Sequence, residues 1–204
     1  MKSTPSKIVC VGKNYLDHVK EMGGELPADP LLFLKPPSAL IGPGQAIVLP
    51  TLSTHVEHEA EIGIVIGTRL RHATEAEAMR GIAGFVCLND VTARDWQKKE
   101  SQWARAKGFD TFCAVGDDIV GGLDWQSLEV IGRVNGQVRQ HGKARDMQFA
   151  IPFLLSHISQ VMTLEAGDLI ATGTPAGVGR LNPGDVVEVE IPGVGVLRNP
   201  VVAG

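Results

Sequence analysis

Residues 57–67 read Glu-His-Glu-Ala-Glu-Ile-Gly-Ile-Val-Ile-Gly, and no other stretch narrows the choice of fold as much. Ala60, Ile62, Ile64 and Ile66 alternate with Glu59, Glu61 and Gly63, the two-residue period of a β-strand. The aliphatic face has to be buried. The other face carries two carboxylates side by side, which repel unless one is protonated or a cation sits between them. The pair is either hydrated on an open face, the usual fate of charged residues, or part of a cation site.

Strands are also expected over residues 7–12, 31–35 (stopped by Pro36-Pro37), 46–49 (stopped by Pro50) and 82–88. Asn135-Gly136 predicts a type I′ hairpin turn. Gly167-Asp168 and Gly184-Asp185 are two similar turns, each feeding a strand. Three helices are expected. One covers residues 14–22, with Leu16, Val19 and Met22 on one face and Gly23-Gly24 ending it. The second covers 74–80, where Thr74 and Glu77 form a capping box. The third covers 151–161, with Leu154, Leu155, Ile158 and Val161 on one side. Residues 89–97 read as a loop or short helix, and 97–107 as a helix or loop. Glycine is abundant, 24 in 204 residues against a usual ~7%, so tight turns are many. Strands outnumber helices and do not alternate with them, which predicts a β-rich α+β fold rather than a doubly wound sheet. No linker divides residues 1–204, so one domain is expected.

Composition excludes several classes. The net charge of −4 gives no basic footprint for nucleic acid. No apolar run nears the ~20 residues that span a bilayer, and residues 1–6 lack a signal-peptide apolar core. A cytoplasmic protein that binds no membrane is the expectation. Cys10, Cys87 and Cys113 form no CxxC pair.

Four further groups can carry chemistry. Asp90 follows the apolar run 82–88, at a strand end where site residues are frequent. With Glu59 and Glu61 it would complete an all-oxygen set suited to Mg²⁺, Mn²⁺ or Ca²⁺ rather than zinc; alternatively it caps the next turn, with Thr92-Ala93-Arg94-Asp95 as a competing cap. His18 and Glu21, three apart on a helix, are acid–base equipment or a routine surface pair. Lys107 could serve an anionic substrate or be a solvated lysine. Residues 172–179 (Thr-Gly-Thr-Pro-Ala-Gly-Val-Gly) lack the ending of a phosphate-binding loop. They form a structural turn, or a loop offering backbone N–H groups or the Thr174 hydroxyl to a carboxylate.

Taken together, these segments resemble the fumarylacetoacetate hydrolase family in its short form, close to acylpyruvate hydrolases. The resemblance is carried by Val11-Gly12-Lys13-Asn14-Tyr15 with His18 and Glu21, Leu32-Phe33-Leu34-Lys35-Pro36, His58-Glu59-Ala60-Glu61-Ile62-Gly63 and Asn89-Asp90-Val91-Thr92-Ala93-Arg94-Asp95 with Gln97. Trp103-Ala104-Arg105-Ala106-Lys107-Gly108-Phe109-Asp110, Val134-Asn135-Gly136 and Thr172-Gly173-Thr174-Pro175 with Gly177-Val178-Gly179 complete it in the family's order. It implies mixed sheets rolled around a metal site, usually in a homodimer. It implies Mg²⁺ or Mn²⁺ on Glu59, Glu61 and Asp90, a water-activating His18–Glu21 dyad on a segment that closes over substrate, and Lys107, Arg94, Gln97 and Thr174 at substrate. The segment 97–103 is shorter than in acylpyruvate-hydrolase relatives.

The first expectation of function is hydrolysis of a C–C bond in an acylpyruvate-type diketo acid, giving pyruvate and a carboxylic acid. The alternatives are oxaloacetate decarboxylation and isomerisation of a 2-hydroxyhepta-2,4-diene-1,7-dioate-type diacid, which share the same enolate. A non-catalytic scaffold with a structural cation is the rival from another class.

Overall fold

The computed structural model describes residues 4–23 and 25–204. In chain order the elements begin with β1 (Ile8–Gly12), α1 (Leu16–Glu21), β2 (Leu31–Lys35), β3 (Leu40–Ile41), β4 (Ile47–Leu49), β5 (Val56–His58) and β6 (Ala60–Ile66). Then come α2 (Glu75–Arg80), β7 (Ile82–Asp90), β8 (Thr92–Ala93), α3 (Arg94–Lys99), α4 (Ala104–Gly108) and β9 (Cys113–Val115). The chain closes with β10 (Glu129–Val134), β11 (Gln137–Lys143), α5 (Ile151–Val161), β12 (Leu169–Ala171), β13 (Gly179–Arg180), β14 (Val186–Ile191) and β15 (Gly195–Ala203).

The strands form a seven-stranded sheet in the order β2-β1-β12-β6-β7-β9-β3, a five-stranded sheet β11-β10-β14-β15-β4 and a three-stranded sheet β13-β5-β8. Most pairs are antiparallel, while β1–β12, β3–β9 and β4–β15 are parallel. This is the mixed, β-rich α+β fold expected. Asn135 and Gly136 have φ of 53° and 76°, both positive as a type I′ turn requires. Thr74 and Glu77 close both halves of the capping box on α2. Gly167 and Gly184, with φ of 91° and 93°, turn the chain into β12 and β14. All three cysteines are buried and free. No helix among the described residues is long and apolar enough to cross a membrane.

The central strand β6 is buried on both faces. Ala60, Ile62, Ile64 and Ile66 enter the main core with Leu154, Leu155 and Ile158 of α5 and Val189 and Ile191 of β14. The opposite face packs Val65 with Val86, Leu88, Ile8 and Leu169 in a second core. That second layer carries Glu61 into the interior.

Several local expectations are corrected. The strand over 57–67 is broken at Glu59, whose N–H turns to Asn89 Oδ1 at 2.9 Å instead of joining a ladder. Residues 89–97 are only in part the expected loop or short helix: β7 runs through Asp90, and the short helix α3 starts at Arg94. Thr92 does not cap α3; its hydroxyl donates to the Asp90 carbonyl at 3.0 Å. Val161 is 61% exposed, because α5 ends there, past the edge of the core. Leu16 likewise faces solvent on α1, leaving Val19 and His18 as that helix's buried side. Gly23 follows α1 with φ 66°; Gly24 and residues 1–3 lie outside the described residues.

Asp168 fastens the first described residues to β12. Its Oδ1 accepts from the Ser6 hydroxyl at 2.6 Å and the Ser6 N–H at 3.0 Å, Oδ2 accepts from the Glu165 N–H at 2.8 Å, and the Lys7 ammonium pairs with it. Burial opposes ionisation, but the bonds from Lys7 and Ser6 win and hold the carboxyl below its ordinary range. A depressed folded-state value stabilises the fold above the unfolded value near ~4, and that contribution disappears as pH falls below it. Melting curves between pH 6 and 2.5 should therefore show wild type losing Tm more steeply than Asp168→Asn in the acid limb. Parallel limbs would mean that this carboxylate does not anchor the segment.

Candidate active site

The register of β6 on β7 assembles the carboxylates. Ala60 faces Asn89 and Glu61 faces Leu88, so Glu59 lies across from Asp90, whose N–H donates to the Glu59 carbonyl at 2.9 Å. Side chains at i and i+2 share a face. Glu59 and Glu61 on one chain segment, and Asp90 on its neighbour, therefore converge. One oxygen from each lies within 4.8 Å of the others, and all three residues are at most 5% exposed. The hydrated-pair reading of Glu59 and Glu61 is thus corrected, because the second core covers that face. The capping alternative for Asp90 falls as well: its carboxylate meets lysines.

Buried charge is costly unless paired, and the cluster is built around cations. Lys107, 1% exposed, donates to Glu59 Oε2 at 2.8 Å and Asp90 Oδ2 at 2.6 Å. Lys35, equally buried, lies 2.6 Å from Asp90 Oδ1 and donates to the Val91 carbonyl at 3.0 Å. Arg94 donates through Nε to Glu57 and through Nη2 to Glu59, both at 2.7 Å, and bonds Gln97 Oε1. Burial disfavours the ion at Glu59, yet Lys107 and Arg94 outweigh it and hold the carboxyl well below its usual range. Glu61 behaves oppositely. Burial, Asp90 and Glu59 push it well above the ordinary range, against Lys107 and one bond from the Gly173 N–H at 2.7 Å. Burial lowers the Lys107 ammonium, but Asp90 and Glu59 more than reverse that.

The donor set fits a hard divalent ion. Three carboxylates converge with oxygen chemistry only. Lys107 already places positive charge between two of them. Asp90 Oδ1 is buried and, although close to Lys35, receives no well-aligned hydrogen bond. Glu61, with no cation bonded to it among the described residues, has the most to gain from one.

His18 of α1 lines the pocket, with Glu21 of the same helix bonded to it. His18 Nδ1 is 3.2 Å from Glu21 Oε2, and His18 is 7% exposed, so the exposed-pair reading is corrected for the imidazole. Glu21 also accepts from the Gly177 N–H at 3.1 Å. The 172–179 loop therefore does offer N–H groups to carboxylates, and they are the protein's own Glu61 and Glu21. Thr174 lines the pocket and also ties its loop down. Its hydroxyl hydrogen goes to the Ala60 carbonyl at 2.9 Å, and its oxygen accepts from Gln140 at 2.7 Å, so it holds the loop on β6. Arg94 and Gln97 line the pocket, with the guanidinium shared between Glu57 and Glu59. Phe33, Val19, Met22 and Trp103 supply the apolar wall.

Lys35, Glu57, Asn14 and Gln140 carry no assigned role in the sequence. A lone lysine closing an apolar strand before two prolines is a signal for Lys35. Gln140 is fully buried and bonds His58, the Ala60 N–H, Thr174 and the Pro175 carbonyl. Its role depends on contacts far along the chain, and the β11 sequence does not mark it.

The profile of the fumarylacetoacetate (FAA) hydrolase C-terminal family matches residues 7–202. The human mitochondrial oxaloacetate tautomerase is 42% identical over 210 aligned positions, covering 97% of this chain and 67% of that protein. Solved structures that share the fold include two isomerases. The 5-carboxymethyl-2-hydroxymuconate delta-isomerase of Mycobacterium smegmatis superposes with TM-score 0.92 at 48% identity, over 98% of this chain and 80% of its own. The 2-hydroxyhepta-2,4-diene-1,7-dioate isomerase of Mycobacterium marinum gives 0.91 at 48%, over 98% and 75%.

Proposed function

The chain belongs to the fumarylacetoacetate hydrolase family, and we propose that it is a metal-dependent keto–enol isomerase of a small 2-oxo acid, of the oxaloacetate tautomerase type. The observation that carries this reading is one pocket lined by both a buried three-carboxylate cluster and His18, whose ring Nδ1 is bonded to Glu21. Glu59, Glu61 and Asp90 would hold Mg²⁺ or Mn²⁺. Such an ion, when bound, supplies Lewis-acid stabilisation of negative charge on the substrate's 2-oxygen.

His18 is the base. Aligned by Glu21, it takes a proton from the carbon next to the oxo group, and its conjugate acid delivers a proton to the oxygen as the enol forms. Reversal of the same two transfers regenerates the ketone. Lys107 keeps positive charge beside the developing enolate. The Gln97 amide, its oxygen held by Arg94, turns its NH₂ to substrate. Phe33 and Trp103 exclude water from the reacting carbon.

The activities of the similar proteins, a tautomerase and two isomerases, support proton relocation over bond hydrolysis. Acylpyruvate hydrolysis is the second reading, favoured by the same dyad, because a base that takes a proton from carbon can take one from water. Assays of the Mg²⁺-loaded protein on oxaloacetate, acetylpyruvate and 2-hydroxyhepta-2,4-diene-1,7-dioate separate the two, with tautomerisation and pyruvate release followed independently. The highest kcat/KM is expected for tautomerisation. A highest value for pyruvate release from acetylpyruvate would replace this reading with the hydrolase.

A further inference from the structure

Lys13 is a charged wall of the pocket that no described residue neutralises. Three side chains with permanent positive charge line this cavity: Lys13, Arg94 and Lys107. Arg94 and Lys107 are each bonded to two carboxylates. Lys13 makes no hydrogen bond or ion pair with any described residue.

Its backbone is unusual as well. Lys13 has φ 59°, in the left-handed region that side-chain-bearing residues rarely adopt. Such a conformation persists where neighbours over-determine it, and it clusters at ligand sites. Both neighbours are pinned. A Cβ on Gly12 would lie 2.9 Å from the Trp103 ring, so the chain passes hard against that indole. Asn14 bonds the Phe149 N–H at 2.8 Å, the Phe149 carbonyl at 3.2 Å and the Thr172 carbonyl at 2.8 Å. The Gly12–Asn14 corner also packs on Gly173, where a Cβ would lie 2.7 Å from Asn14 Cβ. Gly173 in turn donates to Glu61. One residue therefore separates the corner from the carboxylate cluster.

Arg94 and Lys107 spend their charge on Glu57, Glu59 and Asp90. Lys13 faces the same cavity with none of these carboxylates bonded to it. A second carboxylate on the substrate would answer its charge, and a monocarboxylate held at the metal cluster would not.

We infer that Lys13 receives the distal carboxylate of a dicarboxylic 2-oxo acid and sets the preference for diacids over monoacids. The inference rests on the 2-oxo acid reading above and adds to it which half of the substrate this corner holds. A charge-assisted hydrogen bond in a partly dehydrated pocket corresponds to about 10- to 100-fold in affinity.

The test is calorimetric titration of the Mg²⁺-loaded protein with oxaloacetate and 2-oxobutanoate, four-carbon 2-oxo acids that differ in the distal carboxylate. Wild type should bind oxaloacetate about 10- to 100-fold more tightly. Lys13→Gln should lose that preference while its Kd for 2-oxobutanoate stays unchanged, and Lys13→Arg should keep most of it. Equal weakening for both acids in Lys13→Gln, or no preference in wild type, overturns the inference. A wild type that prefers oxaloacetate but never tautomerises it refutes the proposed function and leaves Lys13 in place. Tautomerisation with an unchanged preference in Lys13→Gln refutes the Lys13 inference alone.

Discussion

Metal-free Asp90→Asn is expected to unfold about 3–5 kcal/mol more easily than wild type. The Asp90 carboxylate lies between two buried ammonium groups, 2.6 Å from Lys35 and 2.6 Å from Lys107. An amide there removes the negative charge and presents its own N–H donors to two cations that have no acceptor to spare. Glu61→Gln should do the opposite. Glu61 faces Asp90 and Glu59 with one backbone N–H as its hydrogen-bond donor, so neutralising it relieves repulsion and leaves the metal-free protein as stable as wild type or more so. Both substitutions should abolish Mg²⁺ binding, since each removes one of three charged ligands. Urea unfolding without metal and calorimetric Mg²⁺ titration measure the two effects separately. If Glu61→Gln binds Mg²⁺ with wild-type affinity, the ion does not belong to this cluster.

His18→Ala should lower kcat about 10²–10⁴-fold, the usual contribution of a positioned general base, while Mg²⁺ affinity stays near wild type. The imidazole bonds Glu21 and no ligand carboxylate, so its loss removes the proton acceptor and spares the metal cluster. Glu21→Gln should give a smaller loss, because the amide still reaches His18 but no longer stabilises an imidazolium. Stopped-flow tautomerisation with parallel metal titration reads both quantities. A His18→Ala protein that loses activity and metal binding in equal measure would place His18 in the metal shell rather than beside substrate.

Much of the site is legible in the order of residues alone. The spacing of Glu59 and Glu61 gives them a common face, and Asp90 stands at the end of an apolar run. His18 and Glu21 are one helical turn apart. The type I′ hairpin at Asn135-Gly136 and the Thr74 capping box are equally readable, because both are set by residues at most three apart. Thr174 shows where such reading stops. Its hydroxyl is a candidate for substrate on sequence grounds and does line the pocket, but its bonds to Ala60 and to Gln140, 34 residues away, are set by the fold alone.

Periodicity states which side of a strand a residue takes; it does not state what covers that side. Chain order therefore established the alternation in β6, the positions of the acids and the family motifs. Folding alone settled that the acidic face is buried, because like-facing side chains of its sheet neighbours β1, β7 and β12 join it in a second core. Folding alone also set Asp90 opposite Glu59, surrounded the cluster with Lys35, Lys107 and Arg94, and left Lys13 without a partner among the described residues. The physical reason is range. Backbone sterics and side-chain alternation act over a few residues, whereas the cost of burying charge is met by cations 17, 35 and 48 positions distant along the chain.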